Sequence, residues 1–280
     1  MTSIPKDDVI CSPTEGSAEL GHGSITMLKG FSRYYITKEK KLPSMQPTIV
    51  CLRSGLYAQR RRKKSDPFIP HLENSNILTF VPRREITRIS KTSSKAFQKN
   101  MRRFLLVFFA PLKNDFQRRK LSRSIQRTPL IRIRPGLFLL PQIRTKRVRQ
   151  YSPALLRPAE FMSRLLELGT PVWYAPRLEL VGTANETVIP QLVRSHLQKR
   201  AQRIVRRCRT VYFEIKNASS QDNKRKRFKQ PFLELRLQLR LLRKQSQFFQ
   251  NEFGIDITDM VGRVASAVTR VRHQLDICDT

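Results

Sequence analysis

The segment Phe232-Leu-Glu-Leu-Arg-Leu-Gln-Leu-Arg-Leu241 carries the most regular pattern in the chain. Every second residue from Leu233 to Leu241 is a leucine, and the residues between them are charged or polar. A period of two is typical of a strand with one buried face and one solvent-exposed face. The pattern therefore predicts a β-strand over residues 232–241 and places a sheet in the C-terminal half of the chain.

The residues around this strand predict the rest of an α+β fold. The predicted strands are 172–181 and 210–216, the second joined to 232–241 by a polar loop over 217–231, and the predicted helices are 188–207, 242–253 and 258–275. This order is compatible with a ferredoxin-like, split β-α-β sandwich. We therefore expect a small antiparallel sheet with packed helices in the C-terminal half, preceded by basic extended tails and arms.

Composition divides the chain into three regions. Residues 1–45 are rich in Ser, Gly, Thr and Pro without a sustained period, which predicts a flexible tail. Residues 46–150 are predicted to be a basic extended region with short strands. It includes the apolar run 104–110, typical of a strand buried on both faces or of the core face of a helix, and a hairpin around Pro135 and Gly136. Residues 151–280 are predicted to be an α+β nucleic-acid-binding domain.

The charge of the chain is extreme. It contains 55 Lys and Arg against 21 Asp and Glu, for a net charge of +34 in 280 residues. The first 30 residues carry a net charge of −2, so the remaining 250 carry +36. A compact domain with so much uncompensated charge repels itself, and a bound polyanion would relieve the repulsion. This excludes most ordinary soluble enzymes and favours a nucleic-acid partner.

The predicted helix over 188–207 makes that inference more specific. No acidic residue occurs between Val188 and Arg209, whereas a solvated helix face ordinarily mixes charges of both signs. Arginine outnumbers lysine by 36 to 19 in the chain, and its planar guanidinium suits phosphate oxygens. The residues predicted to contact nucleic acid are Arg60, Arg61, Arg62, Lys63, Lys64, Arg132, Arg134, Arg144, Arg147, Arg194, Lys199, Arg200, Arg203, Arg206, Arg207, Lys224, Arg225, Lys226, Arg227 and Lys229.

One short motif raises the alternative of catalysis. Glu214-Ile215-Lys216 lies in a predicted strand, and an E-x-K tripeptide on a strand supplies a metal-binding carboxylate and a lysine in some metal-dependent nucleases. The second carboxylate would be Glu179 or Glu186. The four cysteines lack the close spacing of a zinc site, and we predict no catalytic residue, metal or cofactor.

These observations favour a non-catalytic RNA-binding protein that is a structural component of a ribonucleoprotein. The specific expectation is a ribosomal protein, which could belong to a mitochondrial ribosome. Its expected partners are RNA and the other proteins of that assembly. The first alternative is a viral or mobile-element protein that binds nucleic acid. The second alternative is a metal-dependent nuclease. A membrane span is not expected, because the longest apolar run, 104–110, is far shorter than the roughly 20 residues required. We expect the protein to be located inside the cell, and the sequence does not decide between the mitochondrion and the nucleus.

Overall fold

The computed structural model describes residues 24–37, 49–60, 77–82, 103–112, 114–142, 151–180, 184–218 and 221–277, with the backbone alone for 184–187 and 221–226. Within these ranges it has nine strands and five helices. The strands are β1 (Ile25–Met27), β2 (Phe31–Thr37), β3 (Ile49–Arg53), β4 (Leu56–Arg60), β5 (Ile77–Pro82), β6 (Arg103–Phe109), β7 (Ile131–Arg134), β8 (Leu137–Pro141) and β9 (Val172–Leu180). The helices are α1 (Asp115–Arg127), α2 (Pro158–Leu166), α3 (Ala184–Asn217), α4 (Gln221–Phe253) and α5 (Thr258–Asp276).

All nine strands belong to one sheet. Its order is β3-β4-β2-β5-β9-β6-β8-β7, with β1 added in parallel to β9 and every other pair antiparallel. From β6 to β9 the chain runs β-α-β-β-α-β, with α1 and α2 as the two helices and β9-β6-β8-β7 as the strand order. That is the element order of a split β-α-β unit.

Helices cover both faces of the sheet at β6. Phe104, Leu106 and Phe108 belong to the large core that includes residues of α3, α4 and α5. The alternate residues Leu105, Val107 and Phe109 belong to a second core with α2, against which α1 also packs. Because neighbouring residues of a strand point to opposite faces, burial on both sides requires a continuous apolar run. The choice left open for residues 104–110 is therefore settled in favour of a doubly buried strand.

The prediction of a mixed α+β fold is confirmed, but its sheet was placed in the wrong half of the chain. The sheet is formed by residues 25–180, and the chain from Ala184 onward is helical wherever the structure describes it, apart from short connections. The β7–β8 hairpin with its turn at Pro135 and Gly136 is present as expected, and so are β9 and α5. The split β-α-β order occurs over residues 103–180 rather than from residue 172 onward.

The strand predicted over residues 232–241 is wrong, because this segment lies within α4. Leu, Glu, Gln and Arg are all good helix formers, and the segment lacks the β-branched residues that favour strands. Leu235, Leu239 and Leu242 are buried at helical spacing, whereas Leu233 and Leu237 are 43% and 53% exposed. The alternation of leucines thus reflects composition, and the buried stripe has a period of three to four.

The strand predicted over residues 210–216 and the loop predicted over 217–231 are also wrong. Val211 and Ile215 continue the buried stripe of α3 that includes Ile204 and Cys208, so tertiary packing outweighs the β-propensity of this segment. The helix ends at Asn217, and α4 begins at Gln221. The basic segment 224–229 is therefore part of a helix and not of a hairpin loop.

The three C-terminal helices form one layer. Val264, Val268, Val271 and Leu275 are the buried stripe of α5, which packs against α3 and α4 rather than mainly on the sheet as expected from the sequence. Phe104 of β6 and Phe253 of α4 approach with ring centroids 6.3 Å apart, joining this layer to the sheet. Residues of α3 also contact β7 at the edge of the sheet. This last contact positions the site described next.

Candidate nucleic-acid interface

Helix α3 presents a cationic surface along much of its length. Its buried stripe includes Val193, Leu197, Ala201 and Ile204, which pack into the large core. Most of the other side chains between Val188 and Arg209 are exposed, and every charged residue in this stretch is basic. Five of the predicted contact residues are exposed there: Arg194, Lys199, Arg203, Arg206 and Arg207. Arg200, the sixth, is buried at 8% exposure.

Helix α1 adds a second basic element that the sequence analysis did not predict as a helix. Asn114 caps its N-terminus: the Gln117 backbone N–H donates to Asn114 Oδ1 at 2.8 Å, and the Gln117 side chain accepts from the Asn114 N–H at 3.4 Å. The Asn-x-x-Gln spacing before Leu121 and Ile125 is the signal that could have identified this helix. Its basic residues are Arg118, Arg119, Lys120, Arg123 and Arg127.

The other predicted contact residues are dispersed. Arg61, Arg62, Lys63, Lys64, Arg144 and Arg147 lie outside the described residues, as do the side chains of Lys224, Arg225 and Lys226. Arg60 is exposed at the end of β4, and Arg227 and Lys229 are exposed on α4. Arg134 donates through Nη2 to the carbonyl oxygen of Thr37 at 2.7 Å, so its guanidinium joins the end of β7 to the end of β2. The geometry thus gives Arg134 a structural contact.

Three of the predicted residues, Arg132, Arg200 and Arg203, line one cavity of about 490 Å³. It lies beside β7, where α1 and α3 approach the edge of the sheet from its two faces. Arg53 of β3 and Arg118 of α1 also line it, and sequence reasoning singled out neither. The cavity thus collects arginines from β3, α1, β7 and α3, and among the described residues that line it there is no Asp or Glu.

The electrostatics of the cavity reflect this one-sided charge. Burial lowers the pKa of Arg200 to about 10, with a further contribution from Arg203. Burial lowers the pKa of Arg132 as well, and Arg203 again adds to the effect. His196 also lines the cavity, and its pKa falls to about 4, first through burial and then through repulsion by Arg200, Arg132, Arg203 and Lys199. The imidazole is therefore neutral at pH 7, and the positive charge comes from arginine.

Arg200 is held in place on one side only. Its Nη1 donates to Oε1 of Gln245 on α4. The Gln245 amide is itself fixed, because its Nε2 donates to the carbonyl oxygens of Thr128 at 2.7 Å and Gln126 at 3.2 Å. The other guanidinium nitrogen, Nη2, is buried and has no hydrogen-bond acceptor among the described residues. A buried cationic donor without an acceptor is costly, which makes this nitrogen the most unusual atom of the cavity.

Arg53 is fixed at another wall of the same cavity. Its Nη1 donates to the carbonyl oxygen of Phe109 at 2.6 Å and to that of Gly136 at 3.2 Å. Gly136 has a φ of 74°, and a Cβ there would lie 2.5 Å from Arg53 Nη1. The turn between β7 and β8 therefore needs glycine both for its backbone conformation and for the close approach of this guanidinium.

The geometry does not provide the strand that the nuclease hypothesis requires. Glu214 and Lys216 are exposed on α3, with Ile215 buried between them, so the E-x-K tripeptide lies on a helix. Glu179 is buried on β9 with its Oε1 3.5 Å from Nε of Arg103, and the side chain of Glu186 lies outside the described residues. Among the residues that the structure describes, no group of His, Cys, Asp and Glu is arranged to hold a metal.

Comparison of the chain with protein-family models, with curated proteins and with solved structures finds no match in any of the three. The described helices include none that combines the length and the apolar character needed to cross a bilayer.

Proposed function

We propose that the protein is a non-catalytic RNA-binding protein that serves as a structural component of a ribonucleoprotein, most specifically a ribosomal protein that contacts rRNA phosphates. The observation that carries this proposal is the charge of α3, whose exposed residues between 188 and 209 include Arg and Lys but no carboxylate. A rigid helix with a one-sign surface is unfavourable in isolation and becomes favourable against a polyanion. The basic helix α1 extends the same argument to a second element.

The geometry of α3 suits a phosphate backbone. The helix has 34 residues, which corresponds to a rod about 50 Å long. Lys199, Arg203, Arg206 and Arg207 recur at intervals of one helical turn or less and are all exposed. Contacts of this kind bind phosphates and orient the nucleic acid, but they do not read its bases. We therefore expect α3 to bind RNA with little dependence on nucleotide sequence.

Salt dependence tests this binding mode. For the full chain and a single-stranded RNA, the logarithm of the association constant should fall linearly with the logarithm of salt, by about 0.7 per neutralised phosphate. The triple variant Lys199→Gln, Arg206→Gln and Arg207→Gln removes three exposed charges and should reduce the slope by about 2. Filter binding or fluorescence polarisation between about 50 and 200 mM salt measures both quantities.

The matched control removes the same number of charges elsewhere. Arg164, Arg177 and Arg272 are exposed on α2, β9 and α5, and Arg164 and Arg272 each lie within 3.4 Å of a carboxylate oxygen. The corresponding Arg→Gln triple should leave the slope closer to that of the unchanged protein. Equal losses from the two triples would show that total charge, rather than the α3 surface, governs binding. A slope near zero for the full chain would rule out electrostatic RNA binding altogether.

The assembly part of the proposal has a separate test. A structural ribonucleoprotein component should co-sediment with a large RNA-containing particle from its native source and remain bound after a moderate salt wash, because many contacts would have to break together. Ribonuclease digestion before sedimentation should release it. Sedimentation as a free protein in both samples would contradict the assembly role while leaving simple RNA binding open to the salt measurement.

A further inference from the structure

We propose that the cavity beside β7 is a binding pocket for the phosphate group of a nucleotide-sized phosphate monoester. The inference goes beyond the proposed function, because the pocket could take a free nucleotide as well as the 5′-terminal nucleotide of an RNA. It concerns one discrete cavity with a buried arginine in its wall, whereas the proposed function rests on exposed charges spread along helices.

The first argument is the geometry around Arg200. The residue is 8% exposed, one guanidinium nitrogen is bound by Gln245, and Nη2 is left without an acceptor among the described residues. Proteins seldom bury a charged donor in this way unless an ordered water, an ion or a ligand completes its hydrogen bonds. A phosphate oxygen is the natural acceptor, since guanidinium groups bind phosphates through short, charge-assisted hydrogen bonds.

The second argument is that no negatively charged side chain among the described lining residues balances the positive charge of the cavity. Arg53, Arg132, Arg200 and Arg203 line it together with Arg118, and the described lining includes no carboxylate. Among the described residues, a carboxylate paired with this group is that of Asp115, whose Oδ1 lies 3.1 Å from Arg118 Nη1 on the exposed side of α1. A bound anion with a charge near −2 would offset the repulsion between several of these arginines at once.

The third argument is how firmly the arginines are positioned. Arg53 is fixed by the carbonyl oxygens of Phe109 and Gly136, and Arg200 by Gln245, which two further carbonyl oxygens orient. These contacts belong to different elements, so the guanidinium groups of Arg53 and Arg200 are positioned before any ligand binds. Preorganised donors of this kind reduce the cost of binding. A surface cluster of flexible arginines would lack that advantage.

The size of the cavity and the apolar residues in its lining indicate what else the ligand contains. About 490 Å³ exceeds what a free phosphate ion requires and lies within the range of small-molecule sites. Apolar residues of α1 and α3 complete the lining, among them Leu121, Ile125 and Ile204. A lining that combines arginines with aliphatic groups suits a phosphate attached to a less polar body. A nucleoside monophosphate has that combination.

The experiment compares ligands that differ only by the phosphate. The full chain is titrated calorimetrically with guanosine monophosphate and with guanosine, and by fluorescence polarisation with one short RNA bearing either a 5′-phosphate or a 5′-hydroxyl. We expect the phosphate to raise affinity at least about tenfold in one pair or in both, as one charged hydrogen-bonded contact provides. Preference in the nucleotide pair identifies a free nucleotide as ligand, and preference in the RNA pair alone identifies an RNA end.

Matched variants separate the pocket from general electrostatics. Arg200→Gln removes the buried guanidinium, and Arg132→Gln removes a cavity charge at an exposed position where misfolding is not expected. Both should abolish most of the preference for the phosphorylated ligand. Arg207→Gln removes an equal charge from α3 away from the cavity and should preserve the preference while weakening RNA binding slightly.

Two results would overturn the pocket. One is equal affinity for phosphorylated and unphosphorylated ligands in both pairs, even if the RNA binds tightly and with a steep salt slope. The other is a loss of the preference in Arg207→Gln as large as in Arg132→Gln. Conversely, a phosphate preference retained with a salt slope near zero for long RNA would support the pocket and contradict the proposed function. The failures of the two proposals are therefore distinguishable.

Discussion

Alanine at Leu235 will lower the free energy of unfolding by about 3 kcal/mol, whereas alanine at Leu237 will change it by less than about 0.5 kcal/mol. The two leucines are neighbours in the alternating series, but Leu235 is 1% exposed and Leu237 is 53% exposed. Truncating a buried leucine loses apolar contacts and leaves a cavity in the core, while truncating an exposed one loses little. Equilibrium denaturation of the two variants measures the difference.

Leu242→Ala provides the matched control for secondary structure. In a strand, Leu242 would point away from the face shared by Leu233, Leu235, Leu237, Leu239 and Leu241, but in α4 it is fully buried in the same stripe as Leu235 and Leu239. We expect Leu242→Ala to cost about as much as Leu235→Ala. Similar losses at Leu235 and Leu237, with no loss at Leu242, would show that this segment is a strand and that α4 is incorrectly placed.

The sequence predicted those elements whose pattern reflects one local packing environment. The continuous apolar run of β6 identifies a strand buried on both faces, and the turn at Pro135 and Gly136 identifies the β7–β8 hairpin. It failed over 232–241, where two periods coexist, because alternating leucines also contain residues spaced by four, and Leu242 follows Leu239 by three. Helix propensity decides between the two periods there, and it favours α4.

The basic surface of α3 could be foreseen, but the cavity could not. Absence of acidic residues along a helical stretch is visible in the sequence, and the exposure of Lys199 and Arg203 agrees with it. The cavity joins Arg53 of β3 to Arg118, Arg132 and Arg200, residues that are far apart in the chain. Only the arrangement of the sheet and its two helical layers brings them together, and no local spacing encodes that arrangement.

The pH dependence of stability should reveal the half-buried His196. Its pKa is about 4 in the folded protein, against an ordinary value of 6.5. Between these values the unfolded chain binds a proton that the folded protein does not, so stability falls as pH decreases from about 6.5 towards 4 and is unaffected by this group above 6.5. The full effect is about 3 kcal/mol, because each pKa unit corresponds to about 1.4 kcal/mol.

Comparison with variants isolates this contribution from other titrating groups. His196→Gln should remove it, so the variant's stability should fall less steeply than that of the unchanged protein over the same interval. His273→Gln, at an exposed position of α5, should retain the full dependence. An NMR titration midpoint near 6.5 for His196 would contradict the burial and repulsion by Arg132, Arg200 and Arg203 on which the prediction depends.

The same measurement bears on the proposed pocket. Because Arg132, Arg200 and Arg203 lower the pKa of His196, a phosphate bound among them would offset their repulsion and raise that pKa. Saturating guanosine monophosphate should therefore raise the NMR titration midpoint of His196 in the unchanged protein, and should not do so in Arg200→Gln. A bound nucleotide that leaves the titration of His196 unaltered must lie somewhere other than this cavity.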